Sequence, residues 1–448
     1  MNRPSSEAAY LAGLVPSSVA GTSMARRSVL RAMGLAGGTI GAGAVLAACG
    51  GSDPETSGST QSPTGTVSLG SNENGTTFAD QRQAMADDFK KAAGVTVAIN
   101  AVDHNTFQEN INTYLQGNSD DVFSWFAGYR MRFFADNGLI GDISDVWPLE
   151  GIADSFKEAS TGNDGKQYFV PQSYYPWAVF HRKSVFEERG YSQPTTLDEL
   201  VTLCEQMKKD KLTPIAFGDS DGWPAMGTFD MLNMRTNGFD YHIALMAGEE
   251  AWDSAEVKQV FKTWGDLLPF HQSDALGRTW QEAAQSVQRG ESGLYILGTF
   301  LNEQFPDDEE DLDFFTFPEI DSAIGSGAID APIDGFCMSS GPDNEEGAKA
   351  FLAYLASPEA AAAAATTGLP FIAANTDADT SEYSELQQKS AQLVGEAENI
   401  AQFLDRDTRP DFASTVIIPA LQTFLGAPDE IDSLVKSIQE QKVSIFGS

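Results

Sequence analysis

Cysteine is scarce in this chain: Cys49, Cys204 and Cys337 are the only three in 448 residues, so no disulfide framework organises the fold. Basic residues are also few, 28 Lys and Arg against 64 Asp and Glu, for a formal net charge of -36. Nucleic-acid partners need clustered Lys and Arg for the phosphate backbone, and this balance excludes them. The four histidines, His104, His181, His242 and His271, are dispersed. None has a ligand-spaced His, Cys or carboxylate cluster around it, so no metal and no cofactor is expected. There is no Gly-x-Ser-x-Gly nucleophile elbow and no Gly-rich loop with lysine to cradle a phosphate. An apolar run of the ~20 residues that a membrane-spanning helix needs is missing too.

What is present is a globular composition, 42% hydrophobic, 10% aromatic and 21% charged, on a chain long enough for two domains, each with its own core. The acid excess favours solubility and suits a salty medium.

The first 48 residues read as an address. Arg26-Arg27-Ser28-Val29-Leu30-Arg31 is a twin-arginine export motif. The Gly- and Ala-rich apolar stretch Met33 to Ala48 follows and closes on Leu46-Ala47-Ala48-Cys49-Gly50. That ending resembles the lipobox of bacterial lipoproteins, in which the cysteine thiol takes a diacylglyceryl group. Met24 is an alternative start, since the residues before it add nothing to the signal. Residues 49–65 are Ser-, Thr-, Gly- and Pro-rich and read as a flexible tether. Removing residues 1–48 takes away four arginines and one glutamate, leaving a chain still more negative. Such a chain needs a lipid anchor to stay on an anionic leaflet, and the expected location is the outer face of the cell membrane, anchored at Cys49.

From Thr66 onward strands and helices alternate, the pattern of an α/β fold with largely parallel sheets. Strands are expected at 66–69, 95–99 and 121–125, and helices at about 78–92, stopped by Gly94, and 106–115. Thr196 and Glu199 form a capping box ahead of Leu200, Cys204 and Met207 on one face, which places Cys204 in a core. Ala348, Phe351, Leu352 and Leu355 repeat helical spacing. Ser357-Pro358-Glu359 caps another helix that Gly368 ends. Two amphipathic helices, about 412–425 and 429–444, close the chain. The acidic run Asp307 to Asp313 lacks the ligand spacing and glycine of an EF-hand loop and reads as a solvated loop.

Four stretches together resemble the family of extracellular solute-binding proteins that includes maltose-binding protein. Asp120-Asp121-Val122-Phe123-Ser124-Trp125-Phe126-Ala127-Gly128, followed by Phe134 to Ile140, is similar to the family's segment whose loop faces the sugar. Gly165-Lys166-Gln167-Tyr168-Phe169-Val170-Pro171, then Tyr174-Tyr175-Pro176-Trp177 and Phe180-His181-Arg182-Lys183, resembles its entry into the second lobe. Pro194-Thr195-Thr196-Leu197-Asp198-Glu199 looks like its Pro-Thr-Thr-Trp-Asp-Glu helix start, with Leu197 in place of the tryptophan. Gly298-Thr299-Phe300 ends a strand where the family has Gly, a small residue and an aromatic platform. The resemblance implies a two-lobe periplasmic-binding-protein fold of type II, with discontinuous lobes joined by hinge segments. One lobe is expected from 66–170 with 333–371, the other from 171–332 with 372–448. Cys204 and Cys337 then fall in different lobes, which argues against a disulfide between them. The resemblance also implies capture of a solute in the interlobe cleft by a monomeric protein, and its delivery to the permease of an ABC transporter.

Sugars are held by aromatic rings over their C–H faces and by planar polar groups on their hydroxyls. In open α/β sheets, ligands bind beyond the strand ends. Asn72 and Glu73 follow the first strand; Trp125, Tyr129 and Arg130 follow the third. Tyr174, Tyr175 and Trp177, broken by Pro176, suit a cleft wall. Asp221 and Trp223 sit in a polar loop, Phe300 is a stacking platform, and Asp334-Gly335 lies near a lobe crossing. Arg409 and Asp411 are the candidates from the charged stretch 406–412. The leading reading is a binding protein for a mono- or small oligosaccharide, with no catalytic residue. A binding protein for a polyamine, a secreted glycoside hydrolase with two carboxylates across the scissile bond, and a surface adhesin are the alternatives.

Overall fold

The computed structural model describes residues 64–73, 75–367 and 372–447. The export motif, Met24, the apolar stretch Met33 to Ala48, Cys49 and the tether as far as Pro63 lie outside the described residues, as do Gly368 and Phe371. Twelve strands occur among the described residues: β1 (Thr66–Ser71), β2 (Thr96–Ala101), β3 (Val122–Phe126), β4 (Val170–Tyr174), β5 (Trp177–Arg182), β6 (Thr213–Ala216), β7 (Ser292–Gly298), β8 (Leu312–Phe315), β9 (Ala328–Asp330), β10 (Ile333–Met338), β11 (Ile372–Ala373) and β12 (Asn399–Ala401).

β1 runs parallel to β2 and β3, with Leu69 level with Ile99 on one side and Val122 on the other. Both neighbours and the flanking helices cover β1, which is why Val67 and Leu69 are apolar and buried. The full order is β2-β1-β3-β10-β4-β11, and β10 lies antiparallel between β3 and β4. The chain therefore leaves this sheet through β4 and builds the second sheet, β6-β7-β5-β8. It then returns through β10. That return makes the lobes discontinuous and gives the two-lobe type II solute-binding fold.

Phe89 from the helix Thr76–Ala93 and Phe351 from the helix Glu345–Leu355 meet at 5.0 Å over the first sheet, in a core with Val67, Leu69, Met85 and Leu352. β7 is buried along its whole length in the second sheet. The six-stranded sheet extends to Tyr174 in β4 and to Ala373 in β11, a few residues past the expected breaks at Val170 and Phe371.

Local signals place the helices well. Gly94 adopts φ +75° and ends the first helix, a conformation in which a Cβ is costly. Thr196 and Glu199 form a reciprocal capping box on the helix Leu197–Lys209, which buries Cys204. Ser357 accepts from the Ala360 amide at 3.2 Å. The last two helices are Ile418–Gly426, preceded by one wide turn at Ala413–Ile417, and Ile431–Phe446. Cys204 and Cys337 carry free, buried thiols. The acidic run departs from the expected solvated loop: Asp311 binds Arg182 at 2.5 Å and Asp313 binds Lys389 at 2.6 Å, so the surrounding cations fix it.

Three segments cross side by side between the sheets. Tyr175 donates its amide to the Pro332 carbonyl at 3.3 Å, and Ala331 donates to Ala401 at 2.9 Å. β9 and β12 form a two-stranded parallel ribbon beside them. At its end, the buried Asp230 accepts from the Leu404 amide at 2.6 Å.

Candidate functional site

The carboxyl ends of β1, β2 and β3 open on one edge of the first sheet, and the loops after β6 and β7 face them from the second. Between them lies a cavity of about 400 Å³. Asn72 and Glu73 after β1, Asp103 and His104 after β2, and Ser124 and Trp125 on β3 line the first wall. Asp221 and Trp223, Trp280 at the start of the helix Trp280–Gln288, and Phe300 and Glu303 after β7 line the second. Tyr174, Tyr175 and Trp177, with Asp334, Gly335, Phe403, Asp405 and Arg406, line the region of the crossings.

Phe300 is the hub of the aromatic wall. Its ring meets Trp280 at 5.2 Å, Tyr175 at 5.4 Å and Trp223 at 5.8 Å, all edge to face. Gly298 permits this, because a Cβ there would lie 2.4 Å from the Phe300 ring. Trp177 is only 1% exposed and stacks on Phe403 at 5.0 Å, so it forms the floor rather than an open platform. Trp125 is equally buried, and the Arg130 guanidinium lies 4.7 Å from its ring centroid. Gly335 serves packing: at the register shift in β10, a Cβ would sit 2.0 Å from the Val170 carbonyl oxygen of β4.

A continuous polar chain backs the first wall. Arg130 Nη1 donates to Gln108 Oε1 at 2.6 Å and to Asp405 Oδ2 at 3.0 Å. A guanidinium only donates, so Gln108 presents its oxygen to Arg130 and its amide nitrogen to His104 Nε2, at 2.6 Å. Nε2 is then the acceptor, and Nδ1 donates to Glu73 Oε1 at 3.0 Å. Arg406 Nη1 donates to Asp334 Oδ1 at 2.8 Å and Nη2 to Tyr175 Oη at 2.9 Å. Its guanidinium lies 3.8 Å from the Phe126 ring centroid. Arg82 Nη1 donates to Gln172 Oε1 at 2.7 Å.

Burial dominates the electrostatics. It pushes the Arg82 guanidinium down to about 10, against the pull of Glu73, and it remains charged at neutral pH. Burial also opposes charge on His104, but the hydrogen bond and charge of Glu73 outweigh it and raise the imidazole above its ordinary range. Burial raises Asp221, with Asp103 adding to the effect, and raises Asp334 against the attraction of Arg406. Burial and then Glu73 push the Glu303 carboxyl up to about 7. Gln81 Nε2, Trp125 Nε1, Asn302 Oδ1 and Asp405 Oδ1 are buried at this site without a hydrogen-bond partner among the described residues.

The structure thus brings together Asn72, Glu73, Trp125, Tyr174, Tyr175, Trp177, Asp221, Trp223, Phe300, Asp334 and Gly335. Tyr129, Arg130, Arg409 and Asp411 are not among the lining residues. Gly128, at φ +86°, turns the chain into the helix Tyr129–Asp136, so Arg130 braces Gln108 and Asp405 from behind. Arg409 forms a two-pronged pair with Asp411 at 3.1 and 3.0 Å, almost fully buried. The sequence reading missed Arg82, His104, Trp280, Glu303, Asp405 and Arg406. For Asp103 and His104 a signal existed, their position directly after a strand. Among the described residues no group of three or more His, Cys, Asp or Glu is placed to hold a metal ion, and no helix is long and apolar enough to cross a membrane.

The profile of the bacterial extracellular solute-binding protein family matches residues 75–362. An uncharacterized ABC transporter extracellular-binding protein of Pyrococcus horikoshii is 25% identical over 254 residues, 55% of this chain and 56% of that protein. The alpha-glucosides-binding periplasmic protein AglE of Rhizobium meliloti is 25% identical over 301 residues, 60% of this chain and 64% of AglE. The chain spans about half the length of the Pyrococcus relatives it matches. The solved structure of the bacterial solute receptor AcbH, described as having an exclusive preference for β-D-galactopyranose, is similar with a TM-score of 0.83 and 39% identity, over 85% of this chain and 99% of AcbH. A chitin oligosaccharide binding protein shares the fold at TM-score 0.74 and 20% identity, over 85% of this chain and 99% of its own.

Proposed function

This chain belongs to the bacterial extracellular solute-binding protein family, and on that premise we propose that it captures a neutral carbohydrate in the cleft between its lobes for an ABC importer. The observation that carries the reading is the pairing of two surfaces across one cavity. Phe300, Trp223 and Trp280 offer rings for the C–H face of a pyranose. Asn72, Glu73, Asp221 and Asp334 offer acceptors and donors for its hydroxyls. About 400 Å³ is at the small end for ligand sites, which suits one or two sugar rings. The likeness to AcbH favours a monosaccharide of the galactopyranose type. Both arginines at the cleft are already engaged, Arg406 by Asp334 and Arg82 by Gln172. Gln172 is neutral and leaves the Arg82 charge in place. The acids lining the cavity, Glu73, Asp103, Asp221, Glu303, Asp334 and Asp405, nevertheless outnumber the two arginines, which disfavours anionic solutes and makes a polyamine the second reading.

Capture needs no chemical step: the lobes close about the crossings, and the solute favours the closed state by touching both walls. The lobes comprise about 66–174 with 333–373, and the remainder of the chain from 175 onward. We place the monomeric protein on the outer face of the membrane, exported through its twin-arginine leader and held by lipid on Cys49, where the closed form docks on the permease. Binding of D-galactose, measured by tryptophan fluorescence alongside maltose and spermidine, tests the solute. Saturation by a sugar without its consumption supports the reading; response to spermidine alone overturns it. Release of the Cys49→Ser protein from the membrane fraction tests the anchor.

A further inference from the structure

Two acids of the second wall, Asp221 and Glu303, line the cavity with no hydrogen-bond partner among the described residues. Each faces an acid of the first wall: Glu303 interacts with Glu73, and Asp221 with Asp103. The facing acids differ in their support. Glu73 has His104 at 3.0 Å and the charge of Arg82 close by. Asp103 caps the helix His104–Gln116 by accepting from the Thr106 amide at 3.1 Å. Among the described residues nothing comparable reaches Glu303. The turn Thr299–Gln304 that carries it packs on β7, which contains no charged residue, and on the helix Trp280–Gln288. The acid of that helix, Glu282, accepts from the Thr279 amide at 3.0 Å; Arg289 at its end pairs with Glu291 at 2.7 Å.

We propose that Glu303 couples solute capture to proton uptake: the cleft holds its neutral solute most tightly when Glu303 is protonated, its O–H donating to a solute oxygen. This rests on the reading of the cleft as the solute site. With the walls together, burial and the facing Glu73 carboxylate make the ionised form of Glu303 costly, and its carboxyl is pushed up to about 7. Drawing the walls apart removes both effects and returns Glu303 towards the ordinary glutamate value. Closure therefore takes up one proton from solvent between those two values, and affinity rises as pH falls. The linkage amounts to about tenfold between about pH 7.5 and about pH 6.

The test is calorimetric titration of D-galactose at those two pH values, for the native protein and for Glu303→Gln, which is a neutral donor at any pH. The expected result is about tenfold tighter binding at the lower pH for the native protein, with no such gain for the variant. Equal pH dependence in both proteins, or none in either, overturns the proposal. Failure of D-galactose to bind at any pH contradicts the galactose-type reading instead. The carboxyl 13C resonance of Glu303, identified by its loss in Glu303→Gln, then decides between the solute-free protein and the protein saturated with whichever sugar it binds: a midpoint that rises on saturation from the ordinary glutamate range towards 7 upholds the proposal, and one that saturation leaves unchanged overturns it.

Discussion

The Arg406 guanidinium donates to Asp334 Oδ1 at 2.8 Å, tying the segment after β12 to β10 where both enter the cleft. The same guanidinium holds Tyr175, on the crossing between β4 and β5, at 2.9 Å. One side chain thus fixes three segments at the junction of the lobes.

Arg406 is buried, and removing it leaves the partly exposed Asp334 and the half-buried Tyr175 without their donor. Arg406→Ala is expected to cost about 1.5–3 kcal/mol of unfolding free energy, the range for hydrogen bonds to charged groups, because water can reach the Asp334 carboxylate left behind. Arg406→Lys keeps the charge but cannot make both bonds in the same plane, so it lies between the two. Urea unfolding of the three proteins measures the order.

The aromatic residues are expected to separate into two groups. Phe300→Ala and Trp223→Ala remove half-buried rings that face the cavity and are expected to weaken solute binding about 10- to 100-fold, with small shifts in melting. Trp177→Ala empties a floor position packed on Phe403 and under Gly227, and is expected to destabilise the fold by about 3–5 kcal/mol. Binding isotherms and thermal melts on the same samples distinguish the two groups.

Arg409→Ala is expected to leave affinity for the solute unchanged while lowering stability, because its partner Asp411 lies with it outside the cavity. This variant marks where the sequence ceased to be legible. The charged stretch 406–412 was recognisable as unusual, yet which of its two arginines turns inward depends on Phe403. That residue takes φ +107° and starts the helical turn Leu404–Asp407. Nothing in composition or spacing announces such a turn. Asn72, Asp221 and Phe300 were legible because each follows a strand, and a strand end is a place in the fold as well as in the sequence. Glu303 lay only three residues past the recognised platform, but its significance comes from Glu73 on the opposite wall, a relation between distant segments. Strand alternation and helix caps are local, which is why the α/β order and the capping box at Thr196 were readable. The aromatic hub and the Arg130–Gln108–His104–Glu73 chain are tertiary.

Asp230 and Asp330 are fully buried close to each other beside the β9–β12 ribbon. Around Asp230 lie Asp330, Asp407 and His242, whose Nε2 is 3.9 Å away; around Asp330 lie Asp407, Arg406 and Asp405. Burial, reinforced for Asp230 by Asp330 and for Asp330 by Asp407, raises both carboxyls well above the usual range. A carboxyl raised in the folded state binds its proton more tightly there than in the unfolded chain. Its contribution is therefore complete at low pH and is lost as pH rises through the folded value. Asp230→Asn, which needs no proton, is expected to lose less stability than the native protein between mildly acid and alkaline pH. Parallel melts across that range measure the difference; identical slopes would contradict a raised carboxyl at Asp230.

The central claim is that the cleft binds a neutral sugar and does nothing to it. Calorimetric titration of the purified protein with D-galactose, followed by analysis of the recovered sugar, tests it most directly. The account predicts a saturable one-to-one heat and unaltered galactose. Absence of binding to D-galactose and to every other carbohydrate tried, or recovery of a cleaved sugar, would contradict it.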